Sequence, residues 1–142
     1  MRSVRLSARS IEKMNCLKLT TLALGEGYVA YLPVVDEGID LILYREKPLE
    51  LRKVQLKARW TIAKKYLCRD IWIAFPEDEN WYMAPHDEMI EIAKKLRFAI
   101  GTSCWDKPTG DYHKPRMGQQ LKKAMRQFQF PQPSEEHSSK VS

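Results

Sequence analysis

Between residues 10 and 24, Ile11, Met14, Leu17 or Lys18, and Leu22 fall at intervals of three and four, a mostly apolar face widened by Leu19, Ala23 and Leu24. That period predicts an amphipathic helix with one buried face. Gly25 and Gly27 follow it as a stop. The period then shortens. Residues 28–33 (YVAYLP) are β-rich and closed by proline, and residues 39–45 (IDLILYR) are almost continuously apolar. Both predict strands, the second covered on both faces. Residues 45–50 (REKPLE) predict a hairpin-type loop. From 51 to 60, Val54, Leu56 and Ala58 alternate with Lys53, Gln55, Lys57 and Arg59, which predicts a third strand with one polar face.

Residues 61–70 predict a loop or a helical turn, 71–76 (IWIAFP) a buried strand, and 81–85 (WYMAP) a short strand after a polar turn. A second amphipathic helix is predicted over 86–96. Asp87 and Glu88 lie in its first turn and Lys94, Lys95 and Arg97 near its end, as the helix dipole favours. Residues 101–118 predict a long Gly- and Pro-punctuated loop, 119–130 a short basic helix, and 131–142 a polar, disordered tail. This order implies an α/β sandwich, a central mixed β-sheet flanked by helices, built as one domain over 1–130.

Composition narrows the function classes. Lys and Arg number 24 against 18 Asp and Glu, a formal charge of +6, which favours anionic partners, nucleic acid first. Cys16, Cys68 and Cys104 are odd in number and contain no C-x-x-C pair. This argues against a disulfide framework or a thiolate zinc site and fits a reducing interior. The three histidines show no i,i+4 pair. No apolar run is long enough to cross a bilayer, and the opening MRSVRLSARS lacks a secretory h-region. The expected setting is cytoplasmic, with no membrane partner.

Three polar residues sit on segments that otherwise read as core: Asp40 at the head of its apolar run, and Gln55 and Lys57 two apart on the next strand. If the two strands pair, a carboxylate, an amide oxygen and an ammonium meet at one end of the sheet. Metal-assisted phosphodiester hydrolysis uses that set. Mg²⁺ takes hard oxygen ligands, here Asp40, Gln55 and the Leu56 carbonyl. Lys57 would hold the nucleophile or stabilise charge developing on the phosphate. The plainer alternatives are a turn-end Asp40 accepting backbone hydrogen bonds and a solvated polar strand face.

The run GIDLILY…KVQLKAR resembles the motif core of the PD-(D/E)XK nuclease superfamily: a strand-borne Asp, a gap, then (E/D/Q)-x-K on the next strand. With Gln55 in the second position it is similar to the D…QxK branch, which includes Mrr-type restriction enzymes and intron-encoded homing endonucleases, and in layout to Holliday-junction resolvases. The likeness spans roughly residues 10–60, and more loosely WYMAPHDEMIEI. It implies a restriction-endonuclease-like sandwich and an endonuclease that hydrolyses DNA with Mg²⁺, Mn²⁺ substituting. It also implies catalytic residues Asp40, Gln55 and Lys57, and a Glu on the first helix that completes the metal site. Glu12 is the candidate, although the pattern places that acid about a turn later, near Asn15 or Cys16. Glu37 is a second candidate. Such small nucleases commonly pair, so a homodimer is expected.

Candidate DNA contacts are Arg59 and Trp60 beside the motif, Lys64 and Lys65 after it, Lys107, Lys114 and Arg116 in the 101–118 loop, and Lys122 and Lys123 on the basic helix. Packing is the alternative for Trp60 and a solvated face for the cations. Two further functions compete: a nuclease-fold module that binds DNA without cutting it, and an interaction protein whose basic helix meets an acidic partner.

Overall fold

In a computed structural model, residues 4–107 and 110–133 are described. The first helix, α1 (Ala8–Gly25), starts at Ser7, whose side chain accepts a hydrogen bond from the Ser10 N–H at 3.1 Å. It stops before Gly27, which takes φ +90°. Strands β1 (Val29–Tyr31), β2 (Leu41–Glu46) and β3 (Leu49–Leu56) follow, then β4 (Trp60–Ala63), a 3-10 turn (Lys64–Tyr66), β5 (Ile71–Glu77) and β6 (Asn80–Pro85). The chain ends with α2 (His86–Leu96), the short α3 (Ser103–Asp106), β7 (Asp111–Lys114), α4 (Gln119–Met125) and a 3-10 turn (Arg126–Phe128).

The main sheet has the order β1-β2-β3-β5-β6. It is mixed: β3 and β5 run parallel and the other neighbours antiparallel. β4 and β7 form a second, two-stranded antiparallel sheet. The molecule is thus α/β, with two buried clusters. One lies on the α1 side, where Leu19 and Ala23 meet Leu41, Leu43, Val54 and Ala74. The other joins α2, α4 and the small sheet to Ile71, Ile73 and Phe75. No helix among the described residues is long and apolar enough to cross a membrane.

Several predicted elements are redrawn. The strand expected over 51–60 ends at Leu56; Ala58 and Arg59 are exposed, and Trp60 opens β4. Strict alternation continued across the bend, so the pattern gave no sign of the change of sheet. The 45–50 loop is mostly ladder, leaving Lys47 and Pro48 between the strands. The 101–118 loop contains α3 and β7, and the basic helix is shorter than 119–130. On α1, Ile11, Met14 and Leu17 are exposed while Leu19 and Ala23 are buried. The helix carries apolar residues on two faces, and the sequence count selected the outer one. At the C-terminal end, Phe130 is buried and the amide of the exposed Gln132 donates to the carbonyls of Gln127 and Gln129, so the chain is tied back as far as 132. The rest of the expected tail, 134–142, lies outside the described residues.

Candidate active site

β2 and β3 pair so that Leu41 faces Val54. The ladder ends at that pair, and two hydrogen bonds hold Asp40, the next residue, against the end of β3. The Asp40 N–H donates to the Val54 carbonyl at 2.8 Å, and the Leu56 N–H donates to Asp40 Oδ2 at 2.7 Å. The carboxylate is thereby fixed by the backbone of the strand that carries Gln55. Lys57, just past β3, is anchored by its own N–H donating to the Ala74 carbonyl at 2.9 Å.

Asp40, Gln55, Leu56 and Lys57 line one cleft of about 640 Å³, and α1 supplies its opposite wall with Arg9, Glu12, Lys13, Asn15 and Cys16. The first-helix acid and the two positions about a turn later therefore reach the same cleft. Glu12 is exposed there, whereas Asn15 and Cys16 are half-buried. Glu37 does not line the cleft; its carbonyl accepts a bond from Arg69 at 3.1 Å.

The electrostatics are unusual for a strand end. Burial pushes the Asp40 carboxyl above its ordinary pKa; the Leu56 N–H opposes this, the Asp36 carboxylate adds to it, and Lys57 pulls it back. Gln55 Oε1 is buried and has no hydrogen-bond partner among the described residues. Leaving such an oxygen unpaired costs roughly 1–3 kcal/mol. The Lys57 ammonium lies 5.2 Å from the centre of the Tyr66 ring, a cation–π contact that holds it without consuming its donors on a carboxylate. Three cations (Arg9, Lys13, Lys57) and three carboxylates (Glu12, Asp36, Asp40) share the lining.

The proposed DNA contacts divide. Arg59 is exposed beside the cleft residue Ala58. Trp60 is fully buried and packs on Phe98 with ring centres 5.3 Å apart; its contact with DNA is corrected to core packing, because β4 turns it inward. Arg116 pairs with Asp78 at 3.0 Å, and Lys122 lies 3.6 Å from the buried Glu77; both cations stay exposed to solvent. Lys64 donates to the Lys107 carbonyl at 3.1 Å, and Lys114 rests over Phe98. Lys65 sits over Tyr66, and Lys107 and Lys123 are exposed. Sequence reasoning missed Arg9, Lys13 and Asp36. The i,i+4 spacing of Arg9 and Lys13 on the face that carries Glu12 was the available signal; Asp36 looked like turn chemistry, and does accept the Gly38 N–H at 2.9 Å.

Among the described residues, no group of three or more His, Cys, Asp or Glu side chains is placed to hold a metal. Any cation here would draw on Asp40, with the Asp36 carboxylate close to it, and on neutral oxygens. No protein-family model matches the chain, and neither does a curated protein or a solved structure.

Proposed function

We propose that this chain is a divalent-metal-dependent endonuclease that hydrolyses DNA phosphodiester bonds, on a restriction-endonuclease-like sandwich of the PD-(D/E)XK type. The observation that carries the reading is the orphaned Gln55 Oε1 in the cleft that Asp40 and Lys57 also line. An uncharged oxygen buried without a donor fits a cation, and Asp40, with Oδ2 committed to the Leu56 N–H, supplies the negative charge beside it. Asp40, Gln55 and the Leu56 carbonyl would hold Mg²⁺ or Mn²⁺, with Glu12 at the opposite wall. Such an ion would polarise a phosphate oxygen and lower the pKa of a bound water.

The chain's own groups do the rest. The Leu56 N–H orients the Asp40 carboxylate. Lys57 stabilises charge that develops on the phosphate oxygens, which is worth more in a partly desolvated site than in water. Arg9 and Lys13 bind flanking phosphates, with Arg59, Lys65 and Lys107 as outlying contacts. With no cluster of three acids among the described residues, metal affinity is low until DNA phosphates complete the ligand set.

The experiment is cleavage of supercoiled plasmid and of branched DNA with Mg²⁺ or Mn²⁺. Cleavage by the wild type, lost in Asp40→Asn and Lys57→Ala, supports the reading; equal activity in the variants removes it. A second reading, a DNA-binding module without chemistry, is favoured because, among the described residues, no three acidic or other ligating side chains are grouped to hold a metal. It predicts salt-dependent DNA binding with no cleavage under either metal.

A further inference from the structure

On the α1 side of the sheet, Arg52 interrupts an apolar surface. It pairs with Leu43, and alternation puts it on the same face as the Leu41–Val54 pair on one side and the Arg45–Glu50 pair on the other. Leu41, Leu43 and Val54 are fully buried, so a guanidinium beside them costs desolvation. Arg45 shows how structure alone meets that cost. Its Nε donates to the Pro48 carbonyl at 3.2 Å, Nη1 to the Glu26 carbonyl at 3.1 Å and Nη2 to Glu50 at 3.1 Å, so each nitrogen has an oxygen. Arg52 is less complete. Its Nε donates to Glu50 at 2.6 Å, but Nη1 meets only the Met83 thioether at 3.5 Å, a weak acceptor, and Nη2 has no partner among the described residues. The Arg52 side chain is 16% exposed. Aromatic rings hold it in place: the guanidinium lies 4.0 Å from the centre of the Trp72 ring, 5.3 Å from Tyr28 and 5.9 Å from Phe130.

Arg52 lines a cavity of about 480 Å³ that also has Tyr28, Trp72, Met83, Phe128 and Phe130 in its walls. A concave space of that size, with apolar walls and a few polar groups to fix orientation, is the usual form of a small-molecule site. We infer that this cavity binds a small organic carboxylate with an apolar body, its carboxylate taken by Nη1 and Nη2 of Arg52 and its body laid against the aromatic walls. The planar guanidinium presents those two nitrogens as a fork that matches a carboxylate with two parallel N–H bonds. Trp72 and Glu50 order the fork before a ligand arrives, which lowers the entropic cost of binding. Charge restricts the occupant to a monoanion. Glu50 already occupies the Nε edge of the guanidinium, and Glu26 and Glu88 line the same cavity. These carboxylates repel a phosphate dianion or a run of nucleic-acid phosphates. No residue lining this cavity lines the cleft, so the inference stands or falls separately from the nuclease reading.

Calorimetry and ligand-observed NMR on the full chain test it with three probes: phenylacetate, its neutral counterpart phenylacetamide, and inorganic phosphate. Phenylacetate is expected to bind, and phenylacetamide at least about tenfold more weakly, because only the ionised group accepts both bonds of the fork at full strength. Phosphate is expected not to bind at the same concentration. Arg52→Lys keeps a cation beside Glu50 and loses the fork, and it weakens phenylacetate about tenfold. Far-ultraviolet circular dichroism reports the fold of that variant, and the comparison of probes on the wild type needs no variant at all. No binding of phenylacetate at millimolar concentration, equal binding of phenylacetamide, or a folded Arg52→Lys that binds phenylacetate as the wild type does overturns the inference. Phosphate binding as tight as phenylacetate, or displacement of phenylacetate by a short single-stranded oligonucleotide, would give the cavity to a phosphate or a nucleobase and overturn it as well.

Discussion

The cleft at the end of β2 and β3 and the start of α2 both bury polar groups, and they treat them in opposite ways. His86 is buried at the first residue of α2, and each of its ring nitrogens has a partner. Nε2 accepts the Ala63 N–H at 3.1 Å, and Nδ1 faces Asp87 at 3.3 Å. The Asp87 carboxylate in turn accepts the Cys68 N–H at 3.2 Å. This latch ties β4 and the turn after it to α2 and leaves nothing for a ligand. In the cleft, Gln55 Oε1 is unpaired, Asp40 is held with its charged form disfavoured, and Lys57 has an aromatic ring beside it. A completed polar network specifies structure; an incomplete one, lining an open cleft, is a place where something else completes it.

The largest effect that would separate the two is on rate. Lys57→Ala should lower DNA cleavage by about 10²–10³-fold, and Asp40→Asn by at least as much, with little change in melting temperature. Unchanged cleavage would erase the distinction. Next, His86→Ala should destabilise the fold by about 2–4 kcal/mol, because it leaves a cavity, a buried Ala63 N–H and an unpartnered Asp87. Denaturant titration measures this, and cleavage per folded molecule should not move.

The two regions also respond to pH with opposite signs. Burial holds the His86 pKa below its ordinary value, against the pull of Asp87. The unfolded chain therefore binds the proton more readily, and the latch's contribution is complete above about pH 6.5 and lost as pH falls through that value. Asp40 has a raised pKa in the folded state, so its charge costs stability at neutral pH and the cost fades as pH falls through the folded value. Thermal melts over this range should show the wild type losing stability below about pH 6.5 and His86→Gln losing less. Asp40→Asn should be as stable as the wild type or more so near neutrality, with the gain vanishing in acid. The smallest effect expected is from Glu12→Gln. Its side chain is exposed at the cleft wall, and a rate change within about tenfold would mark a supporting ligand.

Much of this was legible in the chain because strands have period two. Asp40, Gln55 and Lys57 break an apolar pattern at the ends of two paired strands, and all three line one cleft. The first helix was less legible. Apolar residues on both of its faces give two answers to a periodicity count, and only the sheet beneath decides that Leu19 and Ala23 are the inner ones. The change of sheet at Trp60 left no mark, because an alternating run reads the same whether or not it bends. Ion pairs such as Arg116–Asp78 join residues 38 apart, so a local reading of charge took them for free cations. Whether a buried oxygen lacks a donor, as at Gln55, is a fact of packing in three dimensions.

The most direct test is Mn²⁺ binding by calorimetry, alone and with a short DNA duplex. The account predicts weak binding to the free protein, tighter binding in the presence of DNA, and loss of both in Asp40→Asn. Mn²⁺ affinity that ignores Asp40→Asn, or no affinity even with DNA present, would contradict it.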